Sequence, residues 1–305
     1  MRRPFKPARP VTDESDVTMR YTATLTLLVL APAAATLSAQ AAPPDTSTHA
    51  VLLADTAPEA AAAPDTAPDP LAAGIAAFEA RDPGAAVALF RDALAEDSLG
   101  YEVNWRTALA LLTLGQETPD SKSSPARDSL YAEAERRART AVRADTTGAD
   151  GWFVLANALG RTALTRPPEK RLKLAVAIRN AAIRAIILDP THDGAYHVLG
   201  RWHAEIMRLP GIERFFARRV LRARIFDEAS WDEATVNLER AVALDSTRIV
   251  HRIDLAEIYA DQKRYADALA QIDTLAAMPD REYLDPQHKA AAAALRSKIA
   301  KKTES

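Results

Sequence analysis

No cysteine occurs among the 305 residues, which excludes a disulfide framework, a thiolate nucleophile and a thiolate-ligated zinc. Glycine is scarce, at ten, and neither Gly-x4-Gly-Lys nor Gly-x-Gly-x2-Gly is present, so phosphate-cradling loops are excluded with it. The Gly-x-Ser-x-Gly elbow of a serine hydrolase is also missing. Six histidines occur, at His49, His192, His197, His203, His251 and His288, and none forms the i, i+4 pair that a helical zinc site needs. His197 and His203 are six apart and point in different directions. No charge of one sign dominates: the formal net charge is −2, and beyond residue 41 the chain carries 34 cations and 38 acids. That balance does not suggest a nucleic-acid binder. Aromatic residues are only 6%, and no alternating β-branched run is long enough to make a sheet. Alanine is abundant, which suits closely packed antiparallel helices.

The N-terminus has the form of an export signal. Arg20 precedes an uncharged run from Tyr21 to Leu37, and Ala39-Gln40-Ala41 supplies a small-x-small cleavage site. Pro32 interrupts that run, which is shorter than the ~20 residues a membrane-spanning helix needs. Residues 1–41 are therefore expected to be an extension plus a secretory signal, with either Met1 or Met19 as the start. The product would be periplasmic or secreted after cleavage near Ala41, the alternative being an uncleaved N-terminal membrane anchor. Residues 42–69 repeat an acidic, proline-rich phrase, as in Asp55-Thr56-Ala57-Pro58 and Pro64-Asp65-Thr66-Ala67-Pro68. Such composition reads as a disordered linker.

From residue 70 to 302 the pattern becomes helical and repetitive. Tyr196-His197-Val198-Leu199-Gly200-Arg201-Trp202 is followed by Ala234-x3-Leu238-x2-Ala241, then by Leu255-Ala256-x2-Tyr259. A Leu-Gly pair on one helix, small residues on the next and Asp-Pro or Asp-Ser between pairs resemble the tetratricopeptide (TPR) helix-turn-helix repeat. Equivalent second-helix positions fall at Ala86, Ala134, Ile178, Ala234 and Ala268, 48, 44, 56 and 34 residues apart. Only the last interval equals the 34-residue TPR period, so the turns carry insertions. The expected fold is an all-α, TPR-like α-solenoid of about five antiparallel helix pairs, with a C-terminal capping helix from Pro286 to Lys301. The return helices of the second and third pairs are expected at Leu130–Arg143 and Arg171–Leu188.

Residues 100–260 also resemble the regulator of microtubule dynamics family. The resemblance is carried by Glu102-Val103-Asn104-Trp105-Arg106, Trp152-Phe153-x2-Ala156, Leu188-Asp189-Pro190, Leu199-Gly200-Arg201-Trp202 and Leu209-Pro210-Gly211-Ile212-Glu213-Arg214. It implies a non-catalytic, helical interaction domain. The secretory signal sets this chain apart from eukaryotic members as a bacterial-type exported homologue, so a microtubule role does not carry over.

First-helix positions 5, 9 and 13 face the concave groove of a TPR array. They correspond to Arg106, to Phe153, Asn157 and Arg161, to His197, Arg201 and Glu205, and to Ile253, Glu257 and Asp261. Arginine and asparagine there can hold a carboxylate or a peptide backbone by charge-assisted hydrogen bonds; Arg201 could instead pair with Glu205 one turn away. Trp105 and Trp152 are expected in the core, whereas Trp202 is ambiguous between core and recognition. A basic amphipathic insertion, residues 211–226, offers Arg214, Arg218, Arg219 and Arg222 as an alternative patch for anionic lipid or an acidic partner; an extra packing helix is the plainer reading. The expectation is a non-enzymatic scaffold in the cell envelope. It would use no cofactor or metal, bind a protein or peptide partner and no nucleic acid, and have peripheral membrane contact as the alternative.

Overall fold

The computed structural model describes residues 69–119, 122–209 and 224–304. The expected signal, nearly all of the proline-rich linker and the basic stretch at 210–223 lie outside the described residues. Helices account for almost all of what is described: α1 (Pro70–Glu79), α2 (Pro83–Glu96), α3 (Tyr101–Gly115), α4 (Pro125–Ala144), α5 (Ala149–Leu164), α6 (Pro168–Leu188), α7 (Asp193–Arg208), α8 (Trp231–Leu244), α9 (Ile249–Asp261), α10 (Tyr265–Ala277) and α11 (Asp285–Thr303). A short 3₁₀ turn, Arg224–Asp227, precedes α8. The all-α solenoid read from the sequence is what is observed. The return helices α4 and α6 start earlier than the alanine pattern indicates, because Pro125 and Pro168 occupy first-turn positions where a missing N–H is harmless.

Helix starts follow from side-chain caps. Asp69, Asp82, Ser124 and Ser230 each accept a hydrogen bond from a backbone N–H in the first turn that follows. The turns between pairs reuse one device. Asp97, Asp145, Asp189 and Asp245 each accept from the backbone N–H two residues on, at 2.7–3.2 Å. In the last three, the hydroxyl of Thr147, Thr191 or Thr247 donates to the same oxygen. Those donors, the threonine hydroxyl first, hold the Asp145 and Asp189 carboxyls below their ordinary range.

Consecutive helices pack as the pairs α1–α2, α3–α4, α5–α6, α7–α8 and α9–α10, and each second helix packs on the first helix of the next pair. The first helices α1, α3, α5, α7 and α9 also touch one another in series. Small residues make the close crossings: Ala86, Ala134, Ala234 and Ala268 have no exposed surface, and Ile178 is buried. Gly200 belongs to this set. A Cβ there would lie 2.4 Å from Leu238 Cδ2 and 3.0 Å from the Ala234 carbonyl, so the α7–α8 crossing requires glycine. One core runs from α1 to α7 and a second from α7 to α11. Helix α11 seals the latter by burying Ala292 and Ile299.

The row of pairs bends far enough for its ends to meet. Arg81, between α1 and α2, donates to the Asp280 carbonyl at 3.4 Å. Tyr283 Oη donates to Glu117 Oε1 at 2.6 Å, and Gln287 Nε2 donates to the Gln116 carbonyl at 3.2 Å. The segment linking α10 to α11 therefore closes against the first two pairs, with the first helices on the inner side.

Candidate functional site: the inner face of the first helices

Two adjoining cavities open on this inner side. One, of about 400 Å³, lies between α5, α6 and α7, with Ala163, Ala175, Ile178, Val198, Trp202 and Ile206 among its apolar walls. The other, of about 410 Å³, reaches from Phe78 and Leu109 across α5 and α7 to residues 281–288. Phe153 lines the second, Glu205 and Arg201 the first, and Asn157, Arg161 and His197 both. Six of the ten expected groove residues thus converge. Their helical spacing suffices for this, because residues three or four apart share a face.

The remaining four stand apart. Arg106 lines neither cavity among the described residues: Glu102 holds it at 2.8 Å, and it lies over the Trp105 ring at 4.4 Å. The inner stripe of α3 is instead Leu109, Thr113 and Gln116, about one turn further along. Glu257 and Asp261 face α7 and are engaged by its arginines. Ile253 is buried in the core. Arg214, Arg218, Arg219 and Arg222 lie outside the described residues.

Helices α7 and α9 are joined by a ladder of opposite charges. Arg201 Nη1 donates to Asp254 Oδ1 at 2.7 Å and sits 3.7 Å from Glu257. Arg208 reaches Glu205 at 2.6 Å, Asp261 at 2.7 Å and Glu257 at 3.6 Å. The expected Arg201–Glu205 pair exists, but at 3.5 Å it is looser than the cross-helix bond. The Asp254 charge raises the Arg201 pKa above its ordinary range. Burial alone would push the Asp254 carboxyl up, yet Arg201 and a bond from His197 hold it well below the usual carboxylate range. Glu257 moves upward, through burial first and the neighbouring Asp254 charge second.

The ladder continues into a histidine pair that no local sequence pattern discloses. His197 Nε2 lies 3.0 Å from Asp254 Oδ2, His197 Nδ1 is 2.9 Å from His251 Nδ1, and His251 Nε2 is 2.7 Å from Asp193 Oδ2. Arg248 then links Asp193, at 2.7 Å, to Glu282, at 2.8 Å. Burial lowers both imidazoles: His197 moves down, and His251 falls to about 4 despite the bond to Asp193. His251 is 54 residues from His197 on another pair, so only the stacking of α7 on α9 brings the two together. Asp193, Arg208, Arg248 and His288 escape the sequence pattern for the same reason.

All three tryptophans pack on one core, as expected of Trp105 and Trp152 and left open for Trp202. Trp202 is core: it is buried, donates from Nε1 to the Ala175 carbonyl at 2.8 Å and stacks on Phe226. Trp105 and Trp152 are only partly buried, and Trp152 donates to the Thr146 carbonyl at 3.0 Å. Among the described residues no cluster of three or more histidines and acids has metal-binding geometry.

Antiparallel helix pairs stacked through small residues, with their first helices lining one inner face, define a TPR-type α-solenoid. The structure of a thermophilic TPR protein from Thermus thermophilus shares this fold, with a TM-score of 0.52 and 22% identity over 76% of this chain and 96% of that one. A Pseudomonas aeruginosa pilF structure aligns more loosely, with a TM-score of 0.44 and 13% identity over 76% and 89% of the two chains. The family model for regulator of microtubule dynamics protein 1-3 matches residues 76–300, and the chain belongs to that family. No curated protein shows a significant sequence match.

Proposed function

We propose that the protein is a non-catalytic scaffold that holds a protein or peptide partner on the inner face of its first helices, and that it works in the cell envelope. The observation that carries this reading is the convergence of Phe153, Asn157, Arg161, His197, Arg201 and Glu205 on two adjoining cavities. Apolar walls beside directional polar groups are what a binding face needs. The TPR-type fold supports an interaction role, and the envelope location follows from the Tyr21–Leu37 run and the Ala39-Gln40-Ala41 site. The test of location is to sequence the mature N-terminus of the protein recovered from each cell fraction. Residue 42 at the start of an exported species supports the reading, and an intact N-terminus in the cytoplasmic fraction contradicts it.

Arg161→Glu tests the face itself. The guanidinium reaches Gln116 Oε1 across the wall shared by the two cavities, and reversing its charge should abolish capture of the partner with little change in helix content. Retained capture by a folded variant would remove this face from the reading.

A further inference from the structure

The four groups Asp254, His197, His251 and Asp193 form a chain with three junctions, at 3.0, 2.9 and 2.7 Å. Each junction needs one proton. Two neutral imidazoles carry two N–H groups between them, so whichever tautomers they adopt, at least one junction is left with lone pairs facing each other. A third proton satisfies all three. A fourth would set two N–H groups against each other at the Nδ1–Nδ1 contact. The geometry therefore defines a site for one additional proton.

The surroundings of the pair oppose that proton in the free protein. His251 is buried and His197 largely so, and this loss of solvent is the main opposition. Arg201 on α7 and Arg248 at the start of α9 add positive charge, while the bonds to the Asp193 and Asp254 carboxylates act the other way. The cavity of about 410 Å³ lies against the same pair, with His197 and His251 both in its wall. Four arginines (Arg81, Arg161, Arg248 and Arg281) line it against two glutamates, Glu79 and Glu282. His288 faces it from α11 with Nδ1 buried and lacking a hydrogen bond, Asp285 being 3.8 Å away and Arg161 and Glu282 contributing to its field. Cationic walls, polar donors and the apolar surface of Phe78, Leu109 and Phe153 suit a compact anion with an apolar stem.

We propose that this cavity takes a carboxylate-bearing group together with one proton, the proton completing the His197–His251 junction. A carboxylate beside the pair supplies a further counter-charge against the burial and arginine charge that otherwise keep the third proton out, so the two are taken up together. The proton comes from solvent and forms one N–H bond on the imidazole pair, and no other bond changes. Affinity then rises as pH falls through neutrality. The proposal rests on the inner face being a binding face and names the chemistry of what it holds. An acidic side chain of a partner and a free small carboxylate present the same group.

Calorimetry on the full chain tests this, using benzoate and a blocked glutamate dipeptide as probes, each in two buffers of the same pH but different ionisation enthalpy. Uptake of close to one proton per probe bound, with affinity falling up to tenfold per pH unit above neutrality, is the expected result. Which probe binds tells the two sources apart. His251→Asn should bind with no proton uptake; if that variant does not fold, the buffer dependence of the unaltered protein still decides. Binding without proton uptake, or no binding of either probe at millimolar concentration, overturns the proposal. Partner capture that is still lost on Arg161→Glu would, in that event, leave the wider interaction reading standing.

Discussion

Gly200 illustrates how one side chain, or its absence, sets the geometry around it. The α7 backbone approaches α8 so closely that a methyl group would meet both Leu238 and the Ala234 carbonyl. Backbone cannot move aside as the end of a flexible side chain can, so Gly200→Ala is expected to cost roughly 1–3 kcal/mol through overpacking, measured by denaturant unfolding. His251 gives a second expectation for a single residue. Its folded pKa is depressed from 6.5 to about 4, so the unfolded chain binds more protons between those values and stability there rises with pH. Stability is therefore fully present above about pH 6.5 and is lost as pH falls towards 4. Unfolding free energies across that range should show the slope, and His251→Asn should flatten it. Both residues were within reach of the sequence to different degrees. Gly200 stood inside a Leu-Gly pair that marks a close crossing, whereas nothing local to His251 announced its partner 54 residues away.

Elements show the same division. The helix pairs were legible because alanine spacing and capping residues are short-range signals, and both survive the insertions between repeats. The inner stripe of α3 was displaced by about a turn, from Arg106 to Leu109, Thr113 and Gln116. Arg106 lies over the partly buried Trp105 ring and pairs with Glu102, which keeps it off the inner face. The tight turns of the first and fifth pairs carry a different kind of information. Arg81 and Lys263 lie there at φ 65° and 62°, in the left-handed region that disfavours residues with a Cβ. Lys263→Gly should relieve that strain and raise stability by about 1 kcal/mol, read as an upward shift of the unfolding midpoint. The α7–α9 ladder supplies a sharper test. Arg201→Glu places like charge against Asp254 and Glu257 and should destabilise the contact between the fourth and fifth pairs, whereas adding Asp254→Arg should recover much of the loss. Failure of the second change to recover stability in a double-mutant cycle would mean that the ladder does not couple the two helices.

In the whole described unit, the α10–α11 link closes the inner side by touching the first two pairs through Arg81, Glu117 and Gln116. These contacts are exposed, and a typical hydrogen bond is worth about 1 kcal/mol, so they can open without unfolding the core. Tyr283→Phe should leave global unfolding nearly unchanged while speeding amide exchange in residues 280–288. No periodicity could have disclosed this closure, because it depends on curvature accumulated over five pairs. The same curvature turns scattered groove positions into cavities enclosed enough to hold something. Affinity capture from envelope extracts is the measurement that bears most heavily on that role, comparing the unaltered protein with folded Arg161→Glu. A defined partner protein retained by the first and absent from the second is the predicted result. A partner retained equally by both, or none enriched by either, would contradict it.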